Sequence, residues 1–147
     1  NELSHELNYA IKLFGPIEHI FAKLNYSKEK KIDVETEAKL FCITKKKINL
    51  SIFINFLSKN ENRYCEIIGT KANLLMDFKN KTLLLNNRKL DKKIEKKDQM
   101  YNDQLRFFLS PNNNKEIVKK FDIAYETNKF IELARASAKK NEMIKVL

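Results

Sequence analysis

A histidine near the amino terminus has the neighbours that acid–base chemistry requires. In the stretch NELSHELNYAIKLFGP, helical spacing places polar side chains one turn before His5 and one turn after it. These neighbours are Asn1, Glu2, Asn8 and Tyr9. A carboxylate or amide beside an imidazole can orient the ring for proton exchange near neutral pH. A half-exposed histidine on a solvated helix face explains the same spacing, so spacing alone leaves both interpretations open.

The other residue types that carry chemistry do not form a recognisable motif. The sequence has no P-loop, no G-x-S-x-G, no H-E-x-x-H and no Cys/His spacing typical of zinc, so no metal site is expected. Cys42 and Cys65 lie in strand-like segments, which predicts free thiols in a cytoplasmic protein. His19 precedes Ile20 in a strand-like segment and is interpreted as structural.

The composition is that of an ordinary folded domain. The 147 residues are 43% hydrophobic and 33% charged, which predicts a single domain over residues 1–147 with a sizeable core. No apolar run approaches the roughly 18 residues of a membrane helix, so no membrane partner is expected. The net charge of +10 comes mostly from dispersed lysines. We interpret it as compositional and expect no nucleic-acid partner, although a basic sheet with exposed aromatics could stack on single strands.

The elements that must position these residues follow from the hydrophobic periodicity. An apolar stripe with helical spacing begins at Leu3 and ends at Gly15-Pro16, which predicts a helix. Period-two patterns then predict six strands, at 17–26, 34–44, 48–57, 63–68, 72–78 and 82–85. Helices at 98–109 and 121–139 and a short strand at 143–147 follow. Short connections favour antiparallel pairing, so the predicted fold class is α+β, with an open-faced, mostly antiparallel β-sheet covered on one side by helices.

Several motifs in the same order resemble a known family. SHELNYAIKLFGPIEHIFA resembles the start of the C-terminal domain of the glucose–fructose oxidoreductase / inositol dehydrogenase (Gfo/Idh/MocA) family. CEIIGTKANLLMDF is similar to the family's strand–Gly-Thr–strand element, and DQLRFFLS to a helix before its substrate-domain loop. FDIAYETNKFIELARASAKKNEMIKV resembles the closing helix and strand, so the resemblance covers nearly the whole chain.

The resemblance implies a two-domain oxidoreductase of which this chain is the C-terminal, substrate-binding domain. NAD or NADP would be bound mainly by an N-terminal Rossmann domain outside this sequence, and the chain alone would not turn over. His5 matches the histidine that contacts the substrate hydroxyl and assists proton transfer. Asn1 and Asn8 stand where the family often has aspartate, and Glu2 could serve instead of the first. An amide can bind a sugar hydroxyl but cannot carry its proton.

Two functional interpretations therefore remain. The first is a substrate-binding and oligomerisation domain of an NAD(P)-dependent oxidoreductase that acts on a sugar, a cyclitol or a nucleotide-linked sugar. Its open sheet would form a homodimer or tetramer, because Phe53 and Leu57 interrupt an otherwise polar face. The second is a non-catalytic assembly or binding module that uses the same sheet surface.

Overall fold

A computed structural model describes residues 3–27, 35–90, 97–110 and 114–146 of the chain. The chain divides into two compact units: the first unit comprises Asn1–Leu57 and Asn114–Leu147, and the second unit comprises Ser58–Asn113. In chain order the elements are α1 (Leu3–Phe14), β1 (Ile17–Asn25), β2 (Glu37–Thr44), β3 (Asn49–Asn55), β4 (Tyr64–Ile68), β5 (Asn73–Asp77), β6 (Thr82–Leu85), β7 (Arg88–Lys89), α2 (Lys97–Leu109), α3 (Asn114–Lys140) and β8 (Ile144–Lys145).

The first unit is an antiparallel sheet with two helices on one face. Its strand order is β3-β2-β1-β8. The helix α1 ends where the sequence predicts, because Gly15 adopts a φ of 90°, its N–H donates to the Ile11 carbonyl at 2.8 Å, and Pro16 cannot continue the helix. The helix α3 packs on β1, and α1 packs on α3.

The core of the first unit lies between the sheet and the helices. Alternate strand residues point into it, as the period-two pattern predicts. The buried apolar side chains are Leu7, Ala10 and Ile11 of α1, Ile17, Ile20, Ala22, Ala38, Leu40, Cys42 and Leu50 of the strands, and Phe130, Ile131 and Ala134 of α3. The opposite strand residues form the outer face of this sheet, which includes Phe21, Phe41 and Phe53.

The second unit contains a separate antiparallel sheet, in the order β4-β5-β6-β7. Asn86 and Asn87 both have positive φ in the two-residue turn between β6 and β7, which is the geometry of a type I′ hairpin. Asparagine tolerates this conformation better than most residues. Among the described side chains of Ser58–Asn113, none is fully buried.

The α+β class and the antiparallel pairing are confirmed, whereas the grouping of the strands into sheets and the start of the closing helix differ from the prediction. The strands belong to two four-stranded sheets, in which β3 and β4 are edge strands separated by the polar segment SKNENR. The closing helix begins at Asn114 rather than at Phe121. Its earlier turns escape prediction because they carry exposed apolar side chains on a different side from the buried stripe.

Candidate functional site

The helix α1 presents the predicted site residues on two of its sides. At about 100° per residue, His5 lies opposite the buried residues Leu7, Ala10 and Ile11, and it is exposed. Tyr9 follows one turn later near the same side and is half-buried. Asn8 is also half-buried, on the flank of α1 that meets α3. Asn1 and Glu2 lie outside the described residues.

The side chain of Asn8 is oriented by a threonine of α3. Its amide Nδ2 donates to Thr127 Oγ1 at 3.4 Å, and Thr127 Oγ1 donates its own proton to the Ile123 carbonyl at 2.7 Å. Because that hydroxyl proton is already used, Thr127 offers a lone pair to residue 8 and therefore suits an amide better than a carboxylate. This arrangement gives a physical reason for an asparagine at the position where the family resemblance implies aspartate.

Contacts of Ser137 and Arg135 hold α3 against the sheet. They therefore also fix the position of Thr127 along α1. The buried Ser137 Oγ accepts from the Ala22 N–H at 3.0 Å and donates to the Glu142 carbonyl at 2.6 Å. Arg135 Nε lies 2.7 Å from Glu35 Oε1, and its Nη1 lies 2.8 Å from Glu132 Oε1. The Ser137 contact links α3 to β1, and the Arg135–Glu35 contact links α3 to a residue two positions before the start of β2 at Glu37.

The charged pair that anchors α3 shifts the ionisation of both partners. Burial raises the pKa of Glu35, but the hydrogen bond and charge of Arg135 outweigh burial, so the carboxyl pKa lies below its usual 4.5. The hydrogen bond to Glu35 raises the pKa of the Arg135 guanidinium. Both groups are therefore ionised at neutral pH. By contrast, burial raises the pKa of the free Cys42 thiol to about 12, so Cys42 is a core residue rather than a nucleophile.

The outer face of the first unit's sheet combines a polar row with exposed aromatic rings. The Glu37 carboxylate accepts from Asn25 Nδ2 at 2.9 Å and from Asn55 Nδ2 at 3.1 Å, so three strands share one ladder. Lys39 Nζ lies 3.2 Å from Glu37 Oε1 and 5.4 Å from the centre of the Phe53 ring. The Phe53 side chain is 61% exposed. This surface can bind a partner through aromatic contacts that the ladder and the ammonium groups border.

Prediction from the sequence missed Thr127 as part of this site. Thr127 is buried, as a residue that only packs in the core would be. Its contact with Asn8 joins residues 119 positions apart, and no local pattern signals that pairing.

The second histidine, His19, lies on the outer face of the sheet, where its Nδ1 is 3.8 Å from Glu18 Oε2. In the described ranges no three His, Cys, Asp or Glu side chains are grouped as metal ligands would be, and no helix there could span a membrane.

No protein-family model matches this sequence, and no curated protein sequence matches it. Solved structures do match in fold. The WlbA dehydrogenase from Bordetella pertussis, in complex with NADH and UDP-GlcNAcA, superimposes with a TM-score of 0.66 and 18% identity, over 100% of this chain and 44% of that one. Levoglucosan dehydrogenase in complex with NADH superimposes with a TM-score of 0.78 and 14% identity, over 99% of this chain and 49% of that one. Aldose-aldose oxidoreductase from Caulobacter crescentus, complexed with glycerol, has a TM-score of 0.76 and 13% identity, over 97% of this chain and 45% of that one.

These likenesses identify the fold class. The chain has the fold of part of an oxidoreductase of the Gfo/Idh/MocA type, so the resemblance that the motifs indicated is confirmed at the level of fold. The chain spans less than half the length of each of these three oxidoreductases.

Proposed function

We propose that this chain is the substrate-binding and oligomerisation domain of an NAD(P)-dependent oxidoreductase that acts on a hydroxyl of a sugar, a cyclitol or a nucleotide-linked sugar. The observation that carries the proposal is the fold likeness along nearly the whole chain to sugar and nucleotide-sugar dehydrogenases, two of them solved with NADH. The proposal requires a nucleotide-binding half, which in the compared proteins would lie in the length that this chain does not cover.

The residues of α1 would handle the substrate hydroxyl. The nicotinamide, held mainly by the other half, would accept a hydride from the carbinol carbon. His5 would take the hydroxyl proton, because its exposed ring on the outer side of α1 is free of the core. Asn8 donates to Thr127 and so keeps its Oδ1 available to accept from a second hydroxyl. Asn1, Glu2 and Tyr9 would complete the polar rim of the substrate pocket.

The test is a kinetic comparison in the complete polypeptide that contains this chain. We expect His5→Ala to lower kcat by about 10²- to 10⁴-fold, the usual contribution of a general base, with the Kd for NADH nearly unchanged. The matched control is His19→Gln, because these are the only two histidines of the sequence. If both variants turn over like the wild type, His5 has no part in proton transfer.

We infer that the outer face of the sheet forms the subunit contact of a homodimer or tetramer. Phe53 and Leu57 are 61% and 48% exposed, and exposed apolar patches commonly mark interfaces. Phe53→Glu should therefore shift the protein towards monomer in sedimentation velocity. Leu13→Glu, at an exposed apolar residue of α1, should not. A wild-type monomer at high concentration would refute the contact. The two free cysteines support a reducing, cytoplasmic location.

The alternative is a non-catalytic binding module that uses the same outer face. Asn8 favours it, since an amide cannot relay a proton as aspartate does. A coding sequence with a strand–G-x-G-x-x-G–helix segment upstream of Asn1 would support the oxidoreductase, and its absence would support the module.

A further inference from the structure

The long helix α3 carries two apolar stripes that face different directions. Its second half buries Thr127, Phe130, Ile131, Ala134 and Ser137 in the first unit. Its first half exposes a second stripe, defined here as the α3 stripe: Ile117, Val118, Phe121 and Tyr125. At about 100° per residue, the centres of the two stripes lie about 160° apart around the helix axis. The layer that buries the second half therefore does not cover the α3 stripe.

The side of α3 that continues the buried stripe towards the amino terminus is polar. Glu116 and Lys120 lie on that side and are exposed, and Ile123 is half-buried. A helix that is apolar on one exposed side and polar on the other has the pattern of a docking surface rather than of a solvated helix. Phe121 and Tyr125, the two largest side chains of the stripe, are also the most exposed, at 71% and 65%. Val118 follows at 58%.

The size of the α3 stripe indicates what kind of partner covers it. From the exposed fractions and the areas typical of these side chains, the stripe exposes roughly 450 Å². Two freely diffusing copies need about 800 Å² per partner for a stable complex. Domains tethered in one polypeptide make contacts of about 300–750 Å² per side, because the tether removes most of the entropic cost of association. The stripe therefore suits a tethered domain.

We propose that the α3 stripe seats the nucleotide-binding half of the polypeptide. This inference rests on the proposed function, since it takes its partner from the length of the compared dehydrogenases that this chain does not cover. The domain contact would lie on the side of α3 that faces away from Asn8 and the core. It would hold α3, and with it Thr127, in a fixed position relative to the cofactor.

A single introduced tryptophan tests this domain contact, because the sequence contains no other tryptophan. Phe121→Trp replaces an exposed aromatic side chain and should fold normally. In the 147-residue chain we expect solvent-like emission and free quenching by acrylamide at any concentration. In the complete polypeptide we expect a blue shift and severalfold weaker quenching, measured against the same polypeptide without the substitution. Glu116→Trp, on the other side of the helix, should remain quenchable in both.

Each other outcome overturns the proposal in a distinguishable way. A blue shift in the 147-residue chain would refute the contact: one that grows with concentration would mean that a second copy covers the stripe, and one that is independent of concentration would mean that another part of the same chain covers it. Free quenching of Phe121→Trp in a complete polypeptide that oxidises a sugar with NAD⁺ would refute the seat and leave the proposed function standing. Protection of Phe121→Trp in a polypeptide that neither binds NADH nor turns over would refute the proposed function and show a tethered partner of another kind.

Discussion

The hydroxyl of Ser137 is the interaction whose loss should destabilise the first unit most clearly. Ser137 and Ala22 are both 0% exposed. The Ala22 N–H points to the edge of β1 that β8 does not reach, because β8 pairs only with His19 and Ile20. Ser137 Oγ accepts that N–H at 3.0 Å. Ser137→Ala removes the acceptor without changing the shape of the core, so the Ala22 N–H would remain buried and unpaired.

The expected cost follows from two opposing contributions. A buried N–H without an acceptor costs about 1–3 kcal/mol, so we take about 2 kcal/mol. Glu142 is exposed, and water can replace Ser137 as donor to its carbonyl, so this second bond adds little. Alanine is a better helix former than serine by about 0.5 kcal/mol. The net destabilisation is about 1.5 kcal/mol, or a fall of about 3–6 °C in Tm for a chain of this length.

Urea denaturation followed by circular dichroism measures this difference, and the Ala22 amide should also exchange its hydrogen faster. Asn128→Ala is the matched control, because Asn128 is exposed on the same helix and its replacement changes helix propensity alone. We expect Asn128→Ala to be slightly stabilising. A Ser137→Ala variant as stable as Asn128→Ala would refute this prediction, because the Ala22 N–H would then have another acceptor.

Substitutions at three further positions test the anchoring pair, the site and the second unit. The lowered pKa of Glu35 means that its contribution to stability is complete above its usual 4.5 and is lost as pH falls through the folded-state value. Glu35→Gln should therefore lower the urea midpoint near neutral pH and lower it less at about pH 3. Asn8→Asp would set a carboxylate against the Thr127 lone pair, so we expect a higher KM for the sugar in steady-state kinetics of the complete polypeptide; an unchanged KM would contradict the orientation of Asn8. Asn87 has a φ of 64°, so Asn87→Ala should lower Tm by more than Asn87→Gly does, and equal values would contradict the turn geometry.

The parts of the fold that depend on local pattern were predictable. Alternation along β3 places Leu50 inside and Phe53 outside, and Gly15-Pro16 ends α1 as expected. The strand β7 was not predicted, because Arg88–Lys89 is two polar residues and pairs only through the preceding turn. The start of α3 was missed for a related reason: helix periodicity is read from one stripe, and this helix changes stripe midway.

The side-chain pairings that build the candidate site could not be predicted from the sequence, for a different reason. Asn8 with Thr127 and Ala22 with Ser137 join residues 119 and 115 positions apart. Serine and threonine inside a helix are compatible with packing, with a bond to the preceding turn or with a distant partner, and sequence spacing does not distinguish these. Only the approach of α3 to α1 and β1 selects the third. The small side chains of the segment ARASA around Ser137 allow a close approach, but they do not identify the partner.

These contacts make α3 the element that connects stability with the candidate site. Ser137 fixes its carboxyl-terminal half against β1, Thr127 orients Asn8 from its middle, and the α3 stripe exposes apolar side chains along its first half. A change at Ser137 should therefore alter stability and substrate binding together, because it releases the helix that carries Thr127. A change at Phe121 should leave the stability of this chain unaltered, since that side chain is mostly exposed. Substitutions at Ser137 and Phe121 of one helix therefore distinguish an effect on folding from an effect on the proposed domain contact.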